Sequence, residues 1–275
     1  MADLIPITDP ADPRIEPYRD IRERDLVGRQ GLFVAEGKVV VEKLVGESLH
    51  QPASLLIADK RVGALGDLIA KLPEGVPVYV AGQAVIDAVA GFPLHRGLLA
   101  IGQRAAMPAA DALLGRLGGG PLDVLLLSGI ANHDNMGGIL RNAGAFGVNA
   151  VLLDADCCDP LYRKAIRVSV GAALLVPTAR LARDEDSVAL LARHGIEGVA
   201  LSPEGTTLVS DWRPGLRNAV LLGAEGPGLA PALMARMRSL RIAMSSGFDS
   251  LNVATTSGIV LHHLSSSRGV SRSSA

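Results

Sequence analysis

Three short segments carry residues whose types and spacing could do chemistry. Residues 219–229 (AVLLGAEGPGL) run from the apolar Val220-Leu221-Leu222 into Gly223, Gly226 and Gly228, with one carboxylate, Glu225, among them. Glycine lacks side-chain bulk, so its backbone N–H and C=O groups can approach a ligand closely. A strand ending in such a turn stands where open α/β sheets bind small molecules, at the carboxyl ends of their strands. The spacing G-x-x-G-x-G is neither the G-x-G-x-x-G of dinucleotide folds nor a phosphate loop with its lysine, and a tight structural turn would use similar glycines. In residues 132–148 (NHDNMGGILRNAGAFGV), Asn135 and Arg141 lie almost two helical turns apart, so both can face a pocket above a sheet. The same residues also read as an asparagine cap followed by a surface arginine. Residues 242–264 (IAMSSGFDSLNVATTSGIVLHHL) end a strand, turn through small residues and begin a helix at Ser250-Leu251-Asn252, where Ser250 also suits a plain N-cap.

Positioning these segments takes alternating strands and helices. Apolar runs predict strands at 123–128, 150–154, 174–177, 198–202, 219–222 and 240–244. Helical periodicity predicts helices at 136–146, 159–168, 185–193, 230–237 and 251–264. This is an α/β pattern, and a mostly parallel sheet covered on both faces is its economical fold. Upstream, strands at 32–35, 54–58, 76–80 and 98–102 alternate with helices at 37–47, 65–72 and 83–89, forming a smaller α/β domain. The expected division is a domain at 1–104, a glycine-bearing linker at 105–121 and a second domain at 122–275. Residues 1–13, rich in proline and aspartate, and the Ser/Arg-rich tail 265–275 should be loosely ordered. Between them, residues 14–29 place Ile15, Tyr18 and Ile21 at near-helical spacing. There Arg19, Arg22, Arg24 and Arg29 are either a solvated face balanced by Glu16, Asp20, Glu23 and Asp25 or a phosphate-contacting surface.

Composition narrows the classes. At 275 residues and 48% apolar content the chain can bury the cores of one large or two ordinary domains. A net charge of −1 gives no global basic field, so nucleic-acid binding would come from local arginine clusters. Aromatic residues, at 3%, argue against an extended base-stacking platform. The adjacent Cys157 and Cys158 cannot readily form an ordinary disulfide, and no Cys/His spacing resembles a metal site, so they read as free thiols in a reducing compartment. The N-terminus lacks signal-peptide features, and no apolar run reaches the ~18 residues of a membrane span, so a soluble, cytoplasmic protein is expected.

The three segments together resemble a known family. N-x-G-x-I-x-R at Asn135–Arg141, G-x-E-G-x-G at Gly223–Gly228 and S-L-N-V at Ser250–Val253 are similar to the three motifs of the SpoU/TrmH RNA ribose 2′-O-methyltransferases of the SPOUT class. The likeness covers about residues 122–264, with a weaker family-like stretch at 159–172 (DPLYRKAIRVSVGA). Residues 33–45 and 95–102 are similar to the ribosomal-protein-L30e-like RNA-binding domain that many members carry. The resemblance implies a SPOUT-type parallel sheet with a deep trefoil knot, an RNA substrate (rRNA or tRNA), a homodimer and no metal. It further implies S-adenosyl-L-methionine (SAM) as cofactor, held largely by backbone groups around Leu222, Gly223, Gly228, Ile242, Met244, Leu251 and Ala254. Arg141 would bind the substrate phosphate and orient the ribose, with proton removal by Arg141 or through that phosphate left open. Asn135 would position the ribose or Arg141, Glu225 would orient Arg141 or the turn, and Ser250 and Asn252 would shape the pocket. The chain departs from the pattern at Asp134 and Ala243, where proline is frequent, and at Asp249, where glutamate or serine is frequent; none of these carries an assigned role. The rival readings are an RNA-binding protein of the same fold without catalysis and a SPOUT tRNA base methyltransferase. A third rival, an unrelated nucleotide-binding α/β enzyme, is disfavoured by the missing phosphate-loop lysine.

Overall fold

The computed structural model describes residues 3–19, 30–91, 97–226, 228–247 and 249–268. Its first elements are β1 (Leu4–Ile7), β2 (Leu32–Glu36), α1 (Lys38–Gly46), β3 (Gln51–Ala58), α2 (Gly66–Ala70), β4 (Val78–Ala81), α3 (Gln83–Ala90) and β5 (Leu98–Gln103). Then come α4 (Ala110–Arg116), β6 (Leu122–Ser128), α5 (His133–Ala145), β7 (Ala150–Leu153), α6 (Arg163–Val168), β8 (Thr178–Arg180) and α7 (Ser187–Arg193). The last are β9 (Glu197–Leu201), β10 (Thr207–Leu208), β11 (Arg217–Gly223), α8 (Pro231–Met234), β12 (Arg238–Arg241) and α9 (Val253–Ser267). Two compact units form: residues 1–106 with 160–175, and residues 107–159 with 176–275.

The first unit holds a five-stranded sheet in the order β1-β4-β3-β5-β2. β1, β4 and β3 run parallel, while β5 is antiparallel to β3 and β2. Its core gathers Ile7, Ile15, Tyr18, Val34, Leu56, Ile86, Val89, Leu99 and Ile101. The expectation of a loosely ordered N-terminus is corrected here: Leu4–Ile7 pairs with Val78–Ala81, because burying Ile7 and satisfying the outer groups of β4 outweighs the nearby prolines. In residues 14–29 the described part forms a 3-10 helix, Pro13–Tyr18, that buries Ile15 and Tyr18, and the Tyr18 hydroxyl meets Ser54 Oγ at 2.7 Å. α6 belongs to this unit, tied by Arg163 to Glu36 at 2.8 Å, and Lys43 Nζ donates to the Val170 carbonyl at 2.7 Å. The strand expected at 174–177 is instead a 3-10 turn, Ala172–Leu174, with the strand following at Thr178–Arg180. A short buried apolar run does not by itself distinguish these states. Here Ser169 Oγ accepts the Ala173 N–H at 3.2 Å and favours the turn.

The second unit holds seven parallel strands in the order β10-β12-β9-β11-β6-β7-β8. Successive strand residues point to opposite faces. Leu122, Val124 and Leu126 of β6 join Ala219 and Leu221 of β11 in a core closed by Leu113 and Leu114 of α4 and Leu190 and Leu191 of α7. The alternate residues Leu125, Leu127, Val220 and Leu222 are equally buried, which explains why these strands read as unbroken apolar runs. β10 escapes the sequence reading because it is two residues long and pairs only with Leu240 and Arg241. β12 ends at Arg241 rather than running on to 244, which leaves Ile242 and Met244 in a loop. Helix starts also shift. α5 is capped by Asn132, whose Oδ1 accepts from Asp134 N and Asn135 N (2.8 and 3.3 Å), and α9 is capped by Asn252 rather than Ser250.

At the carboxyl end of β7, Asp154 organises the neighbouring loop. Its carboxylate accepts from the backbone N–H of Gly129 (2.9 Å), Asp156 (3.0 Å) and Cys157 (3.0 Å). Gly129 has φ +67°, and a Cβ there would lie 3.2 Å from Ala224 Cβ, so the loop after β6 rests against the turn after β11. Burial pushes the Asp154 carboxyl up, but the Gly129 N–H and the other donors outweigh it and hold the group below the ordinary carboxylate value. Burial also pushes Cys157 up to about 12 and Cys158 to about 11, so these free thiols are not nucleophiles near neutral pH.

Because the folded-state pKa of Asp154 is depressed, its stabilisation is complete above the unfolded value of about 3.9 and is lost as pH falls through the lower folded value. Asp154→Asn is expected to destabilise the second unit by about 1–2 kcal/mol at pH 7, with the difference shrinking towards zero in acid. Urea denaturation across pH measures this, and a difference independent of pH would count against the carboxylate's role.

Candidate active site

The carboxyl ends of β9 and β11 and the start of α9 enclose a cavity of about 510 Å³. β11 contributes Leu222 and Gly223, and the turn beyond it contributes Ala224, Glu225, Gly226 and Gly228. The loop after β12 supplies Ile242 and Met244, and the approach to α9 supplies Ser250, Leu251, Asn252 and Val253, with Thr256 one turn further on. From β9 come Leu201, Ser202 and Pro203.

The turn after β11 closes on itself without side chains. A Cβ on Gly223 would sit 2.4 Å from the carbonyl carbon of Gly228 and 2.5 Å from Leu229 N, so only glycine allows the two backbone segments to meet. Gly226 (φ +86°) and Gly228 (φ +67°) occupy the left-handed region, and Gly228 N donates to Ala224 O at 3.0 Å to shut the loop. Glu225 is thereby held exposed at the tip.

Asn252 connects this turn to the other two segments. Its Oδ1 caps α9 by accepting from Ala254 N (2.9 Å) and Thr255 N (3.2 Å). Its Nδ2 donates to Asn135 Oδ1 (2.8 Å) and to Glu225 Oε1 (3.1 Å). Asn135 is 6% exposed and reaches Asn252 from the first turn of α5. The helices approach closely behind it, since a Cβ on Gly138 would fall 2.7 Å from Ala254 Cβ.

The geometry sorts the residues singled out from the sequence. Leu222, Gly223, Gly228, Ile242, Met244, Leu251, Ser250, Glu225 and Asn252 share the cavity wall, and Asn135 joins them through Asn252. Ala254 is not part of that wall; it packs under Gly138. Arg141 is exposed on α5, outside the cavity wall, its side chain without a hydrogen bond or ion pair to another described residue. Arg19, in the first unit, donates to the Asp12 carbonyl, while Arg22, Arg24 and Arg29 lie outside the described residues. Leu201, Ser202, Pro203 and Thr256 were not read from the sequence, where they look like an ordinary strand end and a polar helix position. Among the described residues no three His, Cys, Asp or Glu side chains group to hold a metal ion, and no helix is long and apolar enough to cross a membrane.

Comparison with known proteins identifies the family. Residues 123–262 match the SpoU rRNA Methylase family. A Mycobacterium bovis protein named as an uncharacterized tRNA/rRNA methyltransferase is 38% identical over 269 residues, covering 94% of this chain and 91% of that protein. The 23S rRNA (guanosine-2′-O-)-methyltransferase RlmB of Salmonella typhi is 31% identical over 196 residues, 68% of this chain and 78% of its own. Among solved structures, the AdoMet-bound rRNA methyltransferase from Sinorhizobium meliloti shares the fold at TM-score 0.80 and 21% identity, covering 98% of this chain and 99% of that one. The AviRb methyltransferase of Streptomyces viridochromogenes, in complex with AdoMet, shares it at TM-score 0.78 and 20% identity, covering 94% and 100%. With the motif residues gathered as described, the chain belongs to the SpoU rRNA methylase family, the methyltransferase family its three segments resemble.

Proposed function

We propose that this methyltransferase transfers the methyl group of SAM to a ribose 2′-hydroxyl of ribosomal RNA. The observation that carries the reading is the Asn252 side chain, which binds Asn135 and Glu225 at the rim of a cavity floored by the bare backbone of Gly223 and Gly228. The likeness to RlmB supports the ribose 2′-oxygen as acceptor.

The cavity fits the cofactor on its own terms. Its volume of about 510 Å³ lies within the range of small-molecule sites. Leu222, Met244 and Leu251 offer apolar walls for a purine, Gly223 lets the turn pack tightly enough to present bare backbone to the cavity, and Glu225 sets a carboxylate near a cationic ligand. When bound, SAM supplies an electrophilic methyl group on a sulfonium whose charge disappears on transfer. Backbone groups of Leu222, Gly223, Gly228, Ile242, Met244 and Leu251 would hold it, with Ser250 shaping the entrance and Ala254 setting the helix behind. Asn135 and Asn252 fix the rim, and Arg141 binds the phosphate beside the target ribose and orients the 2′-oxygen for in-line attack. The planar guanidinium of Arg141, a fork of N–H donors with no acceptor, suits it to hold a phosphate.

Arg141 stands outside its own chain's cavity wall, which supports a site completed by a second copy in a homodimer. The passage from β11 through β12 to α9 is read as the family's deep trefoil knot. Residues 1–104 are read as an L30e-like RNA-binding domain, with Arg19, Arg22, Arg24 and Arg29 on its phosphate-contacting surface, joined through 105–121 to the methyltransferase domain 122–275. The free thiols support work in the reducing cytoplasm.

Mapping 2′-O-methylation across total RNA with and without the gene tests the reading; no lost ribose methyl would overturn it. SAM at about 100 times its Kd should stabilise the cavity-bearing unit by about 2.7 kcal/mol, seen as a rise of several degrees in Tm, and no shift would remove the cofactor from the proposal. Arg141→Ala is expected to abolish methyl transfer while SAM affinity by calorimetry stays within about threefold, whereas Gly223→Ala should lose SAM binding outright. Mixing these two inactive variants should restore about a quarter of the activity, because half the dimers then hold one complete site. Activity no greater than the sum of the two would place Arg141 in the same chain as its cofactor.

A further inference from the structure

Asn142, the residue after Arg141, has no part in the cavity yet makes a two-bond polar link between α5 and α9. Its Nδ2 carries two hydrogens, and each has an acceptor on α9: the Ala254 carbonyl at 2.8 Å and Ser257 Oγ at 2.9 Å. Ser257 Oγ in turn donates to the same Ala254 carbonyl at 2.7 Å, so the three groups form a closed triangle, with Ser257 fully buried. Two glycines make room for it. A Cβ on Gly258 would lie 3.2 Å from Asn142 Nδ2, and Gly138, one turn before Asn142, brings α5 down onto Ala254.

We infer that Asn142 is a positioning residue for methyl transfer, whose amide fixes the setting of the Arg141 helix on the Asn252 helix. Sliding α5 by one residue moves it about 1.5 Å along its axis, a displacement that stretches or misaligns both bonds. Ala254 lies two residues after Asn252, so the triangle anchors α5 to the very turn whose cap binds Asn135 and Glu225. Asn142 faces α9 and Arg141, about 100° further round the helix, faces solvent, so a rotation permitted by losing the amide would swing the guanidinium directly. The inference rests on the role given to Arg141 in the proposed function.

The test compares wild type, Asn142→Ala and Asn142→Ser in steady-state methyl transfer, SAM calorimetry, thermal melting and amide hydrogen exchange of α5. Asn142→Ala is expected to lower kcat about tenfold or more, with SAM KM and Kd within about twofold and faster exchange in α5; a misplacement of about 1 Å suffices for such a loss. Asn142→Ser, which retains one short donor, should fall between, and it carries the test if the alanine variant does not fold. In an Arg141→Lys background the Asn142 substitution should add much less than its single effect, because it acts through the residue already changed. A kcat equal to wild type in both variants, a loss matched by an equal loss of SAM affinity, or full additivity with Arg141→Lys would each overturn the inference. Active wild type with inactive Arg141→Ala but unaffected Asn142 variants would sink this inference alone; inactive wild type would sink the proposed function, and the exchange measurement would still report on the clamp.

Discussion

The site depends on the full use of one amide. Asn252 has two lone pairs and two N–H hydrogens, and all four are engaged: the oxygen caps α9 through Ala254 and Thr255, and the nitrogen holds Asn135 and Glu225. No other side chain of this size does both. Aspartate would cap the helix equally well but would lose both donors and place a second negative charge against Glu225. Serine would cap and reach neither partner. The start of α9 is therefore also the junction of the motif segments, and any movement of that cap is felt at the cavity rim.

Missing side chains make the junction possible. Gly223 lets the turn after β11 fold back on Gly228, Gly129 brings the loop after β6 against Ala224, and Gly138 brings α5 onto Ala254. Each glycine costs conformational entropy, on the order of 0.5–1 kcal/mol relative to alanine within regular structure. The sheet beneath offsets that loss, since β6 and β11 pair over their whole lengths and bury apolar residues on both faces. Rigidity comes from the sheet, and the close approach of the segments above it from the glycines.

Much of this was legible in the sequence. The apolar run at 123–128 read as a strand and is one, buried on both faces, and the G-x-E-G-x-G turn pointed to backbone approaching a ligand at the end of its neighbour. The choice of caps was not legible, because Ser250 and Asn252, or Asn132 and Asn135, are equally good N-cap types and only tertiary partners decide between them. Ser202 and Pro203 carried no sign of lining a cavity, since nothing in a strand end tells which other strands finish beside it. Leu4–Ile7 was hidden for the same reason: its partner lies more than seventy residues away. The sequence also carries a signal for the α5–α9 contact. Gly138 and Gly258 sit inside helices, where glycine is disfavoured by about 1 kcal/mol, and such residues mark places where another element must come close.

The strand order has a consequence for how the chain is made. β6 is the first strand of its sheet to leave the ribosome, yet its partner on one side, β11, pairs with it across a separation of about 95 residues. Until that late segment arrives, the apolar edge at Leu125–Leu127 has no lasting cover, so the nascent protein must wait with an adhesive surface exposed. The topology itself therefore leaves one edge of β6 uncovered until late in synthesis, whatever the chemistry of the finished site.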